Sequence, residues 1–414
     1  MSLLEVVTKA SSAISTLSDH EFNYPILLNP DPIFDNLKLA NDNQESVDHV
    51  KKVTGWEISK IDQELIEIGQ KFLKMLKRKQ KNTKSFGKVE FLNMLTSYLA
   101  NYGKKVGIPL SLNKSEEDYA CKIVEKLGIL MAKDVKGLVL ECCVSLEVWD
   151  VLEILIINGL VEQAFTSDLV TKLIEKRKSD LIVLCIKHLP DLQAFDLMCI
   201  LKYFLIVPSD GYKSLVSLRA HWKSQALLAI KKVSKKEASL SKEASILVML
   251  AHDGFSVSEL CLHYFLASPN LDEVIFSACV SKLNGEETKA LIRYLGKWLM
   301  KYEKFPQVGP CPTASEKLGL KVCEWIPTLE IVAKYLGVVV DEHFSSLVLG
   351  TEFDELKRLE GVVGSLAAEA RLCGSLANLT ERLRIEHQVL ETVSHWENRV
   401  LMRICCQCLN LDHG

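Results

Sequence analysis

Asp341, Glu342 and His343 stand in succession in the run "VVVDEHFSSLVLG", residues 338–350. An acid beside a histidine is what a proton-transfer site or a metal site requires, because a carboxylate can orient an imidazole and both can ligate a divalent cation. Helical projection separates the pair. Trp325, Leu329, Val332, Leu336, Val340 and Leu347 recur at helical spacing on one face, and His343 falls in the middle of that stripe. At 100° per residue Asp341 lies about 160° around the helix from His343, and Glu342 is no better placed. The run is therefore expected to be one helix, with His343 and Phe344 turned toward neighbours and the two acids in solvent. No catalytic residue is assigned to it.

A second chemical candidate closes the chain. "ICCQCLNLDH" offers Cys405, Cys406, Cys408 and His413, four soft ligands for zinc. Structural zinc sites pair C-x2-C units, however, and here the spacing differs and no second knuckle follows, so no metal is assigned. A P-loop, a dinucleotide-binding glycine pattern, a zincin helix and a nucleophile elbow are all missing, and no cofactor is expected.

The strongest charged feature is "KFLKMLKRKQKNTK", with seven Lys/Arg and no acid from Lys71 to Lys84. Lys77, Arg78, Lys79 and Lys81 form its densest part. Two readings stay open. Clustered cations serve as a nuclear-import signal or contact RNA phosphates by releasing counterions. The same residues also suit a helix C-terminus, where cations complement the dipole, followed by a solvated loop. No aromatic interleaving supports base stacking, so any RNA contact would be weak or indirect.

These residues must be positioned by helices. The chain has 414 residues, 48% apolar and 25% charged, with a formal net charge of -3, which gives no global steering toward nucleic acid. That length exceeds one ordinary core and implies two domains or an elongated array. The 20 Gly and 11 Pro are few for a fold of short strands and tight turns. The 13 Cys are odd in number and embedded in runs such as "LVLECCVSL", which reads as reduced thiols of the cytosol or nucleus. Glu5 and Lys9 interrupt any secretory signal core, and no apolar stretch has the length of a membrane span.

Period-3.6 patterning dominates after a polar lead-in, residues 1–50. "ISKIDQELIEIGQKFLKMLKRK" is an amphipathic helix, and "KVEFLNMLTSYLANYG" a second one ending at Gly103. Helices with short joints follow, the joints expected at Ser145, 166–168, 190–191, 208–211, 268–270 and 284–287. The fold class is all-α: an α-solenoid-like array of helical hairpins over 51–303, although no strict repeat motif is visible. A compact multi-helix domain is the alternative. Residues 304–320, with Pro306, Pro310 and Pro312, form a Pro-containing linker. Residues 321–414 form a C-terminal hairpin or coiled-coil-like region. In it Leu356, Leu359, Val363 and Leu366 open a helix-docking seam that shifts by one residue and resumes through Leu376 and Leu379.

"LIRYLGKWLMKYEKF" (291–305), "WIPTLEIVAKYLGVVVDEHFSSLVLG" (325–350) and "FDELKRLEGVVGSL" resemble the C-terminal domain of the nucleolar protein 11 family. "SLEVWDVLEILIINGLV" and "RKSDLIVLCIKHLPDL" are similar to its helical array. The resemblance implies a non-enzymatic scaffold of the small-subunit processome, in the subcomplex coupling ribosomal DNA transcription to early pre-rRNA processing. It implies a nuclear, nucleolar location, and partners that are β-propeller proteins with related helical tails. The chain departs from the family in showing no strand-rich segment for an N-terminal β-propeller, and is expected to be a partial or short form. A second reading is a helical-repeat adaptor in trafficking or ubiquitin pathways, which would need no basic run. A helical enzyme would need titratable groups converging in a pocket.

Overall fold

The computed structural model describes residues 26–28, 56–81, 86–108, 118–233, 238–305, 308–349 and 356–368, with Arg371 and Arg384. Helices account for nearly all of them, as the periodicity requires. One short addition is β-structure. Ile26–Leu28 (β1) pairs antiparallel with Trp56–Ile58 (β2), Ile26 opposite Ile58, inside what reads as a polar lead-in and its junction. The other residues of 1–50 lie outside the described ones. Two compact units divide between Asp196 and Leu197.

In the first unit, Ser59 starts α1 (Lys60–Lys81) by accepting the Asp62 N–H at 3.2 Å on its Oγ. Leu65, Phe72 and Leu76 form the buried stripe of α1. α2 (Lys88–Val106) runs antiparallel to it, with Lys105 near the end of α2 bonded to Glu64 in the second turn of α1 at 2.6 Å. Gly103 is not the end of α2. The helix continues to Gly107, whose φ of 79° supplies the left-handed cap, with the Ile108 N–H on Gly103 O at 2.9 Å. Gly103 instead permits close packing: a Cβ there would meet Leu127 Cδ1 at 2.7 Å.

Five helices follow: α3 (Tyr119–Leu127), α4 (Lys133–Ser145), α5 (Trp149–Ile157), α6 (Gln163–Glu175) and α7 (Ser179–His188). Their first residues obey a spacing of 30: α3, α5 and α7 start at 119, 149 and 179, and α4 and α6 at 133 and 163. The turns repeat as well. Glu147 (φ 56°) and Arg177 (φ 55°) occupy equivalent left-handed positions. The Val148 N–H donates to Cys143 O at 2.8 Å, and the Lys178 N–H to Leu173 O at 3.0 Å. α3, α5 and α7 pack in one row and α1, α4 and α6 in another. Residues 166–168, expected as a joint, lie inside α6, where Thr166 is buried and its Oγ1 donates to Glu162 O at 3.3 Å. The actual turn is at Gly159, with φ 63°.

The unit boundary falls within α8 (Ala194–Leu205). The second unit holds α9 (Val216–Val233), α10 (Ala238–His252), α11 (Val257–Leu266), α12 (Glu273–Val280), α13 (Gly285–Lys304), α14 (Thr313–Leu318), α15 (Leu329–Leu349) and a helical stretch, 356–368. Ser256 with Glu259, and Asn284 with Glu287, form capping boxes, and Asp272 caps α12. The three fix the starts of α11, α12 and α13; the sequence marks joints at 268–270 and 284–287, and none before α11. The segment read as a linker, 304–320, is packed instead. Val308, Cys311, Ala314, Leu318 and Leu320 are buried, and α14 lies against α10. Pro310 and Pro312 punctuate a packed turn rather than a tether. α12 and α13 both pack on α15, while Trp325 sits in the preceding 3-10 turn, Lys321–Trp325, rather than in α15 itself.

Candidate functional site

α15 carries the Asp-Glu-His run. Asp341 and Glu342 are exposed and His343 is half-buried. His343 Nε2 lies 2.9 Å from Val280 O, the last residue of α12. A carbonyl only accepts, so Nε2 carries the proton and donates it to a C-terminal carbonyl that also accepts the Leu283 N–H at 2.9 Å. Glu342 accepts from Ser277 Oγ on the same neighbour. Tyr335 stacks on Phe276 at 4.1 Å and donates to Leu271 O at 3.2 Å. The run is thus part of the α12–α15 joint. Phe344, expected to face a neighbour, is 62% exposed.

A second histidine, which the sequence reading does not single out, has the more complete environment. His263 on α11 is fully buried, with Nδ1 2.7 Å from Tyr294 Oη and Nε2 3.0 Å from Ala251 O. Ala251 O can only accept, so Nε2 holds the proton and Nδ1 accepts the Tyr294 hydroxyl. Tyr294 Oη in turn accepts the Trp298 Nε1–H at 3.2 Å. Burial drives His263 down to about 3, so the ring is neutral, as this chain of donors demands. Trp222, Phe255 and Trp298 enclose it at centroid distances of 5.5, 4.7 and 5.0 Å. Every polar atom of the imidazole is used and none is open to a substrate. The sequence signal available is a lone His inside the apolar run "LCLHYFL"; its partners lie 12 and 31 residues away.

The cysteines follow the same logic. Cys142, Cys279 and Cys323 are buried, and burial pushes each thiol up to about 12, away from the reactive thiolate. Among the described residues no group of three or more His, Cys, Asp or Glu could hold a metal, and no helix is long and apolar enough to cross a membrane. Cys405, Cys406, Cys408 and His413 lie outside the described residues.

Lys71 to Lys81 of the basic run lie in α1, and Lys84 lies outside the described residues. Lys77, Arg78 and Lys81 are exposed and Lys79 pairs with Glu90 of α2 at 2.7 Å. Beside them, α1 and α2 leave a groove of about 1320 Å³. Ile68, Met75, Val89 and Met94 contribute apolar surface to it, and Lys71, Arg78, Lys79 and Lys88 line it against a single carboxylate, Glu90. Phe72 and Tyr98, stacked at 4.3 Å with 10° between their planes, brace its floor from within the core.

The expected seam at the C-terminal end is partly in place. Leu359 is buried, 2.7 Å from where a Cβ on Gly296 of α13 would stand. Leu356 and Leu366 are half-buried. Val363 is 44% exposed and Val362 takes its place at 9%, because the buried stripe passes from Leu359 to the residue three on rather than four on. The resumption through Leu376 and Leu379 lies outside the described residues. Comparison of the chain with family models, with curated proteins and with solved structures gives no match.

Proposed function

We propose that this chain is a non-catalytic helical scaffold that works through protein–protein contacts. The observation that carries the reading is the 30-residue recurrence of helix starts and turns from Tyr119 to His188. We read it as an α-solenoid-like stack of hairpins, in which each unit buries its neighbour's apolar face and leaves extended surfaces for partners. The basic groove between α1 and α2 is one such surface. The heptad stretch beyond Leu356 belongs to the same reading, as a coiled-coil-like segment docked first on α13 through Leu359 and Gly296.

For the setting we propose ribosome biogenesis, with nucleolar β-propeller proteins as partners and at most weak RNA contact. Its support is the resemblance of residues 291–350 to the nucleolar protein 11 family, together with exposed Lys77, Arg78 and Lys81 as import determinants. Tagged full-length protein should concentrate in nucleoli and co-elute with pre-ribosomal proteins. Changing Lys77, Arg78, Lys79 and Lys81 together to Ala should shift it to the cytoplasm. Exclusion of the wild type from nucleoli, with co-elution of vesicle-coat or ubiquitin-ligase subunits, would establish the adaptor reading instead.

A further inference from the structure

We infer that the α1–α2 groove docks an acidic amphipathic helix supplied by a protein partner; the inference rests on the scaffold reading and specifies one of its contacts. Four cations, Lys71, Arg78, Lys79 and Lys88, line the groove against one carboxylate, Glu90. Lys79 is paired with Glu90 at 2.7 Å, so the groove's one carboxylate is already matched, and the pairs of Lys71 and Lys88 are loose. Lys71–Glu67 spans 3.6 Å and Lys88–Asp150 3.8 Å between exposed side chains, and such pairs contribute little and exchange readily. Charge complementarity therefore selects an anionic occupant.

The apolar surface selects a helix over a polyanion. Val89 is 73% exposed and Met75 53%, an adaptable pair suited to the apolar anchors of an incoming helix. Nucleic acid would need aromatic faces for its bases, and the two aromatic rings at this place, Phe72 and Tyr98, are 2% and 5% exposed and stacked on each other. The start of α2 adds to the field at the same end of the groove. Gly87 is its N-cap, offers no side-chain cap and lines the groove with Arg78 and Lys88, so the positive end of the helix dipole falls there. An acidic side chain of the occupant would lie there, with its apolar stripe along Ile68, Met75 and Met94.

The test uses the full chain and a fluorescent peptide of about 18 residues, Glu-rich, with Leu and Phe at i, i+3, i+4 and i+7. Saturable binding that weakens with added salt is expected. Arg78→Glu with Lys88→Glu should weaken it at least about tenfold, and Val89→Asn should weaken it with the charge of the groove unchanged. Both changes are at exposed positions, and unchanged helicity and melting would certify the variants.

Several outcomes overturn the inference. These are no binding by the wild type, equal binding by the variants, and equal binding of a peptide of the same composition with its apolar periodicity scrambled. Displacement of the peptide by oligouridylate at lower concentration would make the groove a nucleic-acid surface. Self-association abolished by the charge reversals would make the occupant a second copy. Peptide binding by a chain that co-elutes with no protein in cells would keep the groove and sink the scaffold reading; stable partners with no peptide binding would do the reverse.

Discussion

The two units use different means to fix their helices. From Tyr119 to His188 the backbone does it. Each α4-type helix ends in a left-handed residue, Glu147 or Arg177, and a hydrogen bond reaching back five residues sets the start of the next helix. Matched apolar positions then fill the rows, Cys143 with Leu173 and Leu152 with Ile182, all buried. Beyond Leu197 helix lengths vary and side chains reach across to pin backbone carbonyls. His263 holds Ala251 O, Lys301 holds Leu250 O and Asp253 O, Tyr302 holds Pro327 O, Tyr335 holds Leu271 O and His343 holds Val280 O. A uniform period lets one turn geometry serve repeatedly. Where the period is lost, each helix end needs its own partner.

The contrast is broken most directly at the hub of the pinned unit. Trp298 is fully buried, stacks on Tyr302 at 5.6 Å and donates to Tyr294. Trp298→Ala should remove about 3–5 kcal/mol of stability through the cavity and the lost donor, read as a lower urea midpoint. A loss below about 1 kcal/mol would show the hub to be a passive filling.

His263 gives the next largest effect, and its sign is fixed. The folded ring is held near 3 while the unfolded one titrates near 6.5. Below about pH 6.5 the unfolded state takes up the proton first, so stability falls with pH from there until about 3. The loss at about pH 5 relative to neutrality is about 2 kcal/mol. Trp222 and Trp298 beside the ring make indole fluorescence a local reporter of unfolding. His263→Phe should be less stable at neutral pH and should flatten the acid limb; an unchanged slope would place the titration elsewhere.

Legibility in the sequence divides along the same line. The stripe Leu65, Phe72, Leu76 and the joint at 284–287 are local patterns legible in the sequence, although Ile58 and Ile61, expected on the same face, are 41% and 50% exposed. The 30-residue period is invisible as a motif because equivalent positions share burial and not identity. Between 133–161 and 163–191 only Asp150 with Asp180 and Ile156 with Ile186 coincide. The prolines of 304–320 mislead for the opposite reason, since composition marks a turn but cannot say whether Val308, Ala314 and Leu320 are covered. Projection alone separates Asp341 from His343 but misplaces Phe344, which is 62% exposed, whereas His263 depends on Tyr294 and Ala251, which only folding brings to it.

A third, smaller effect concerns the helical stretch 356–368. Leu359 fits where Gly296 has no side chain, and a Cβ there would sit 2.7 Å from Leu359 Cδ2. Gly296→Val should push Leu359 out and speed amide exchange across 356–368 at least about tenfold, a change of about 1.4 kcal/mol in local stability. Exchange unchanged in that stretch would mean that Val362 and its neighbours hold it without Leu359.

The smallest effect bears most closely on the period. Glu147 and Arg177 hold left-handed φ values of 56° and 55°, a conformation L side chains adopt at a cost and glycine does not. If the two turns are the same structure 30 residues apart, Glu147→Gly and Arg177→Gly should each raise stability, by about 0.5–1 kcal/mol. The Glu147 carboxylate accepts from Lys176 at 3.0 Å, an exposed pair worth little, so losing it should not cancel the gain. Urea denaturation of the two variants side by side decides it. Parallel gains mean that one turn geometry is used twice, and a gain at one position with a loss at the other would mean that the repeat is an accident of helix length.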